Sequence, residues 1–430
     1  MMKPLLIFFT IALASAAAPP SEAQAPAAHR AQAVAPLRID KARIDRSLRQ
    51  MVDAGRVAGA SALVWKGGHE VYFGTAGYAD REAKRPFQRD TLTQVWSMTK
   101  PITGVALMTL WEQGRFSLDE PLAKYLPEYA DVKVFVSVDS AGKPVLKTPD
   151  RPIVIRDIMR HTAGFVTDGG DAGPEKIFAE VDPLNLANTL DQFSRKLTTV
   201  PLAYDPGTQW RYSPAVDVQA RLVEKLSGEP FETYVRTHVL EPLGMRDSAW
   251  TQPEVRYPRL AAAYAAGPDG KLSRKSDADI RRFNFSDRKL TRGGAGIATT
   301  MNDYLRFARM LLNHGSLDGV RILKPSTVKL MTTDQLDPKI TERAWLPSKG
   351  NGGFGFDFFV RTGQPKEPAE NRGTVGEFWW DGAWSTLFWV DPANDMIVLF
   401  STQKEPWDGT LHHDIRQAIY GPDYLGPKGD

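Results

Sequence analysis

Cysteine is absent from this chain of 430 residues. That excludes disulfides, thiolate nucleophiles and cysteine-ligated metals. Histidine is scarce. The seven present (His29, His69, His161, His238, His314, His412 and His413) form neither His-x-x-x-His nor His-Glu-x-x-His, so zinc hydrolysis has no ligand set. No metal and no other cofactor is therefore expected. An excess of one charge is lacking too: 54 basic residues face 51 acidic ones without a basic block, and nucleic acid is not an expected partner. No serine stands in Gly-x-Ser-x-Gly, which removes the α/β-hydrolase elbow. There is no internal repeat, and no segment past the N-terminus is apolar for long enough to cross a bilayer.

What is present begins with an export-type leader. Lys3 supplies a positive start, residues 5–13 an apolar run, and Ala14-Ser15-Ala16 a small-residue cleavage site. Residues 1–16 are thus expected to be a signal peptide and 17–36, rich in Ala and Pro, a linker. The mature chain, folded over 37–425, is expected to be exported to the periplasm or secreted. It would be soluble and carry no membrane anchor after cleavage. The sequence specifies no oligomer, and a monomer is the default expectation.

Charged and apolar residues interleave over 39–52 as on a surface helix. Segments 58–65 and 70–74 flank Lys66-Gly67-Gly68 as in a hairpin. Residues 103–111 are apolar on nearly every side, which predicts a helix in the middle of the protein. Further helices are predicted over 153–160, 186–197, 215–226, 231–240 and 301–312. The C-terminal third reads as strands at 353–360, 377–380, 384–390 and 396–401, then a helix over 411–420 on which His412 and His413 are expected to be solvated. Strands at both ends with helices between predict an α+β fold. An antiparallel sheet flanked by helices would be built from about 37–95 and 290–425, with an all-helical lobe inserted over about 96–289.

Ser-x-x-Lys sets a hydroxyl and an amine one helical turn apart on one face. Serine becomes a nucleophile when a base takes its proton, and a desolvated lysine is such a base. Five such tetrapeptides begin at Ser97, Ser140, Ser286, Ser326 and Ser401. Ser140 lies in a polar turn and Ser286 in a highly charged stretch. Ser401 ends a strand, where positions i and i+3 face opposite ways. Ser326 opens an amphipathic, superficial helix, where a capping role is expected. Only Ser97 opens the helix that is apolar all round, where Lys100 would be dry and the helix N-terminus would favour negative charge. Spacing and burial alone leave an N-cap and a nucleophile equally open for Ser97.

Val95-Trp96-Ser97-Met98-Thr99-Lys100-Pro101 resembles the serine β-lactamase and penicillin-recognising superfamily, close to class C β-lactamases and family VIII carboxylesterases. Further segments agree in order: His161-Thr162-Ala163-Gly164-Phe165, Trp210-Arg211-Tyr212-Ser213-Pro214, Glu241-Pro242-Leu243-Gly244-Met245, 293–300 and Trp380-Asp381-Gly382-Ala383. The resemblance runs from about 39 to 420. It implies that Ser97 attacks the acyl carbon, that Lys100 shares its proton, and that Tyr212 is the companion acid and base. It also implies an oxyanion hole from the backbone N–H groups of Ser97 and Ala383, and a structural turn at His161.

Departures from the family pattern bear on substrate. Trp380-Asp381-Gly382 stands where the lactamases have Lys-Thr-Gly, and it resembles the esterase branch. An apolar wall replaces a cation, and Asp381 is expected to repel anions. Pro214 stands where the lactamases carry an amide-bearing Asn. Together these predict hydrolysis of small, mostly neutral acyl esters. Hydrolysis of β-lactams or D-amino-acid peptides by the same residues is the alternative. Trp380, Asp381, Gly382 and Trp384 are the expected substrate-binding residues on an edge-like strand, while Phe354 and Phe356 fit core better than pocket.

Overall fold

The computed structural model describes residues 37–167, 169–367 and 369–424. The expected leader (1–16) and linker (17–36) lie outside the described residues. Eight antiparallel strands form the main sheet: β1 (Gly59–Lys66), β2 (His69–Asp80), β3 (Arg85–Pro86), β4 (Gly352–Phe354), β5 (Phe359–Arg361), β6 (Phe378–Asp381), β7 (Leu387–Asp391) and β8 (Met396–Ser401). Their spatial order is β4-β5-β6-β7-β8-β1-β2-β3. N- and C-terminal segments therefore meet at the β8–β1 seam, where Leu63 pairs with Leu399 and Val64 with Val398. β7 and β8 are buried at every position. A strand apolar on both sides needs cover on both faces, and helices provide it.

Helix α1 (Lys41–Asp53) buries Ile44, Leu48 and Met51, one stripe at helical spacing, and Asp40 caps it by accepting from the Arg43 N–H at 3.0 Å. It packs against β1, β2 and the last helix. The central helix α2 (Thr99–Glu112) is buried at every position from Thr99 to Met108, as its all-round apolar sequence predicts. Against it pack α3 (Ala215–Ser227) and other helices of the inserted region, while α4 (Met301–Leu312) packs on β7 and β8. The C-terminal helix is α5 (Gly409–Tyr420).

Several expectations need correction. "All-helical" is too narrow for the insertion. It also carries the pair Val134–Val138 with Pro144–Lys147, and the pair Tyr264–Ala266 with Leu272–Arg274. The predicted strand 353–360 is two strands, because the chain reverses at Gly355–Phe358 with Asp357 at φ +65°. Ser326 is one residue inside its short helix and makes no capping hydrogen bond. The strand bearing Trp380 is interior to the sheet. β5 pairs only with Phe378 and Trp379, however, so on that side Trp380 and Asp381 run on past their neighbour.

Two crossings join the insertion to the sheet region, and they lie side by side. Thr93–Gln94 pairs antiparallel with Ala298–Thr299, and the Val95 N–H donates to Ile297 O at 3.1 Å. The chain enters the insertion next to where it returns. Ser97 follows immediately.

Candidate active site

Trp96 stands at φ +47°, a left-handed conformation that a bulky side chain rarely adopts. It turns the backbone into a short 3-10 segment, Trp96–Met98, leading directly into α2. Ser97 sits on this turn and Lys100 on the first turn of α2 behind it. Lys100 is 4% exposed, walled by the apolar helix that the sequence predicts. Its Nζ donates to Ser97 Oγ at 3.2 Å and to Gly294 O at 2.7 Å. Tyr212, just before α3, donates its phenolic hydrogen to Ser97 Oγ at 2.7 Å. Two side chains picked from sequence thus converge on the hydroxyl oxygen of a third.

Electrostatics separates the two partners of Ser97. Burial lowers the Lys100 pKa to about 7, against the opposing pull of Asp217. Asp217 lies behind Gly294: its Oδ1 accepts the Gly294 N–H at 3.1 Å, and the Gly294 carbonyl holds Lys100. Burial pushes the Tyr212 phenol well above its ordinary value, opposed by its hydrogen bonds to Ser97 and Trp380. At neutral pH this pair can present a free amine and a proton-bearing phenol. Tyr212 is fixed by Trp380 Nε1 at 3.4 Å from its oxygen and by the His161 ring, 4.8 Å away between centroids. His161 is fully buried at φ +57°, and burial holds its pKa far below the ordinary value. Its Nδ1 lies 3.2 Å from Ser213 Oγ. It is a neutral support in a turn.

The N–H groups of Ser97 and Ala383 donate to no acceptor among the described residues. Both residues line a cleft of about 340 Å³, with Tyr212, Trp345, Ser348, Lys349, Trp380, Asp381, Gly382 and Trp407. Gly382 is required there by contact. A Cβ on it would overlap Thr386 Oγ1 and lie 2.5 Å from Val95 O, on the very turn that carries Ser97. Two larger clefts, about 910 and 880 Å³, are not lined by Ser97.

Three expectations change here. Asp381 is not a free carboxylate: it forms a buried ion pair with Lys349 and accepts from Trp407 Nε1 at 3.0 Å, so its expected repulsion of anions is cancelled. Lys349 in turn lies between 4.3 and 5.5 Å from the ring centroids of Trp345, Trp379, Trp380 and Trp407. His412, expected to be solvated, is 1% exposed, with Nε2 3.1 Å from Ser385 O and Nδ1 3.6 Å from Asp381. Burial lowers its pKa to about 4, so it adds no charge at neutral pH. Trp384 is not in the cleft. It is buried against Trp96, 4.8 Å between centroids, and donates Nε1 to Glu405 at 2.8 Å. Phe354 and Phe356 are fully buried core, as expected, and Phe354 backs the Trp380 ring edge-on at 5.3 Å. Trp345, Lys349 and Trp407 went unmarked in the sequence. The only signal they gave was aromatic richness near the C-terminal strands.

The chain is similar to known proteins. The family model described as Beta-lactamase matches residues 44–420. Protein Rv1367c of Mycobacterium tuberculosis is 33% identical over 380 residues, 87% of this chain and 92% of that protein. Esterase EstB of Burkholderia gladioli is 29% identical over 401 residues, 88% of this chain and 95% of its own. The solved structure of EstCE1, a hydrolase with promiscuous acyltransferase activity, superposes with a TM-score of 0.72 at 25% identity, covering 88% of this chain and 98% of that one.

Proposed function

This chain belongs to the beta-lactamase family and is a serine hydrolase of that fold, and we propose that it is a carboxylesterase working through a Ser97 acyl-enzyme. The observation that carries the reading is the convergence of Lys100 Nζ and Tyr212 Oη on Ser97 Oγ, at 3.2 and 2.7 Å. Two relatives named as an esterase and as a hydrolase with acyltransferase activity support it.

Lys100, as the free amine, takes the Ser97 proton while Oγ attacks the acyl carbon. The carbonyl oxygen becomes an oxyanion between the N–H groups of Ser97 and Ala383, donors already unpaired and fixed. The C–O bond to the alcohol then breaks. Tyr212, whose raised pKa keeps it a phenol, gives its proton to the leaving oxygen, and the Lys100 ammonium restores that proton. Water repeats the sequence in reverse and frees Ser97. The cleft beside Tyr212 is walled by Trp345, Trp380 and Trp407, which favours a neutral, apolar alcohol there. Hydrolysis of β-lactams or D-amino-acid peptides is disfavoured. Lys349, the cation paired with the third motif, is buried and compensated by Asp381, and Trp380 walls the place where an anchor would stand. From the leader over 1–16 we further propose export to the periplasm or beyond, which N-terminal sequencing of the mature protein tests.

A fluorophosphonate is expected to label one peptide, containing Ser97, and Ser97→Ala to abolish both label and turnover. 4-Nitrophenyl butyrate is expected to exceed nitrocefin in kcat/KM by about a hundredfold or more, since the wall offers no partner for a carboxylate. Labelling at another serine, or a preference for nitrocefin, refutes the reading.

A further inference from the structure

On the other flank of Trp96 lies the cleft of about 880 Å³. Its apolar lining includes Phe178, Leu184 and Phe283, the last 4.8 Å from Trp96 between centroids. Its charge is unbalanced: Arg282, Arg288, Lys289 and Arg292 line it against Asp182 and Asp287. Arg288 is tied into the fold, Nε donating to Phe283 O at 2.7 Å. The others are not. Among the described residues Arg282 and Lys289 form no ion pair, and Arg292 only approaches Asp217 through Nε, at 3.5 Å, with neither Nη donating to an acceptor. Trp96 Nε1 is buried beside them with no hydrogen-bond partner among the described residues. Cations with donors to spare, beside apolar side chains in one cleft, fit a chain that ends in an anion.

Which part of an ester lies there follows from the reaction proposed above, on which this inference rests. Tyr212 protonates the leaving oxygen, and Tyr212 lines the tryptophan cleft, so the alcohol lies on that side. Trp96, next to Ser97 in the chain, lines the second cleft, which leaves that cleft for the acyl chain. We propose that the second cleft receives the acyl chain and that Arg292, with Arg282 and Lys289 at the rim, binds a carboxylate at its far end. The substrate class is then a half-ester of a dicarboxylic acid, neutral at the alcohol and anionic at the distal acyl terminus.

Mono-4-nitrophenyl adipate and 4-nitrophenyl hexanoate have acyl chains of equal length and differ at the terminal carboxylate. With Ser97→Ala as the background, the wild-type kcat/KM for the adipate is expected to exceed that for the hexanoate by about tenfold, the worth of one charge-assisted hydrogen bond. Arg292→Gln and, separately, Arg282→Gln are expected to bring this ratio toward one. Both esters share the chemistry at Ser97, so the ratio cancels any loss common to them. Arg282 is exposed, which makes its replacement safe for folding. A wild-type ratio at or below one overturns the inference, as does a ratio that survives in both variants. If neither ester is turned over and the fluorophosphonate leaves Ser97 unlabelled, the esterase reading falls and takes this inference with it. Turnover of the hexanoate alone sinks only the anionic acyl site.

Discussion

Residues close in sequence were the ones the sequence could pair. Ser97 and Lys100 are one helical turn apart, so their contact is a property of the helix, and the apolar run after them declared Lys100 dry. Lys349 and Asp381 are 32 positions apart, with no periodicity linking a 3-10 turn to a strand end, and Asp381 alone looked like a repelling charge. Because Lys100 must be the free amine, kcat/KM is expected to rise with pH through about 7. The charges acting on it, after burial, are Asp217, Asp357 and Asp381, which raise its pKa, and Arg292, which lowers it. Asp217→Asn removes a raising influence, so the rising limb of the pH–rate profile is expected to move to lower pH, whereas Arg292→Gln moves it higher. Steady-state profiles of the two variants against wild type check the sign. Lys100→Met, with no base left, is expected to lose about a thousandfold or more in kcat.

At the scale of elements, helices and strands with strong periodicity stand where expected, and the errors collect where the chain reverses. Residues 384–390 read as one apolar strand, yet β7 begins at Leu387. Gly382 to Ser385 form the reversal, with the Ser385 N–H donating to Gly382 O at 2.9 Å and Ser385 at φ +64°. A turn breaks the two-residue alternation, and Trp384 lands on the Trp96 side instead of beside Trp380. His412 departs from its expected exposure for a related reason. α5 buries Leu411, His412, Ile415, Arg416 and Ile419, a stripe wider than its apolar residues alone, because polar positions complete Asp381 and Glu377. The reversal at Gly382 makes a prediction at this scale. A methyl there collides with the Val95 carbonyl and Thr386, so Gly382→Ala is expected to cost about 1–3 kcal/mol of stability and to depress kcat by displacing Ala383. Calorimetry and steady-state rates on the same preparation measure both.

Across the whole molecule, the β8–β1 seam joins the N- and C-terminal segments of the fold, and a buried polar knot ties α5 to the C-terminal strands. Glu377 Oε1 accepts from Arg361 Nε at 2.9 Å and from Arg416 Nη1 at 2.8 Å, and Glu377 Oε2 accepts from the Tyr420 hydroxyl at 3.1 Å. All three charged side chains are fully buried. Glu377→Ala leaves two guanidinium groups without their carboxylate, and a loss of about 3–5 kcal/mol is expected in denaturant unfolding. A loss under 1 kcal/mol would show that the knot is not what anchors α5. The α+β plan itself was legible, since strands at the ends and helices between leave few ways to close a sheet. The small strand pairs of the insertion were not, being too short and too exposed to imprint a pattern. The paired rungs Thr93–Gln94 and Ala298–Thr299 have a consequence for how such a chain diversifies. A detour whose exit and entrance are neighbours leaves the scaffold's endpoints fixed whatever its length. Residues contacting one half of a guest can then be lengthened, trimmed or recharged over generations without disturbing the atoms that make and break bonds.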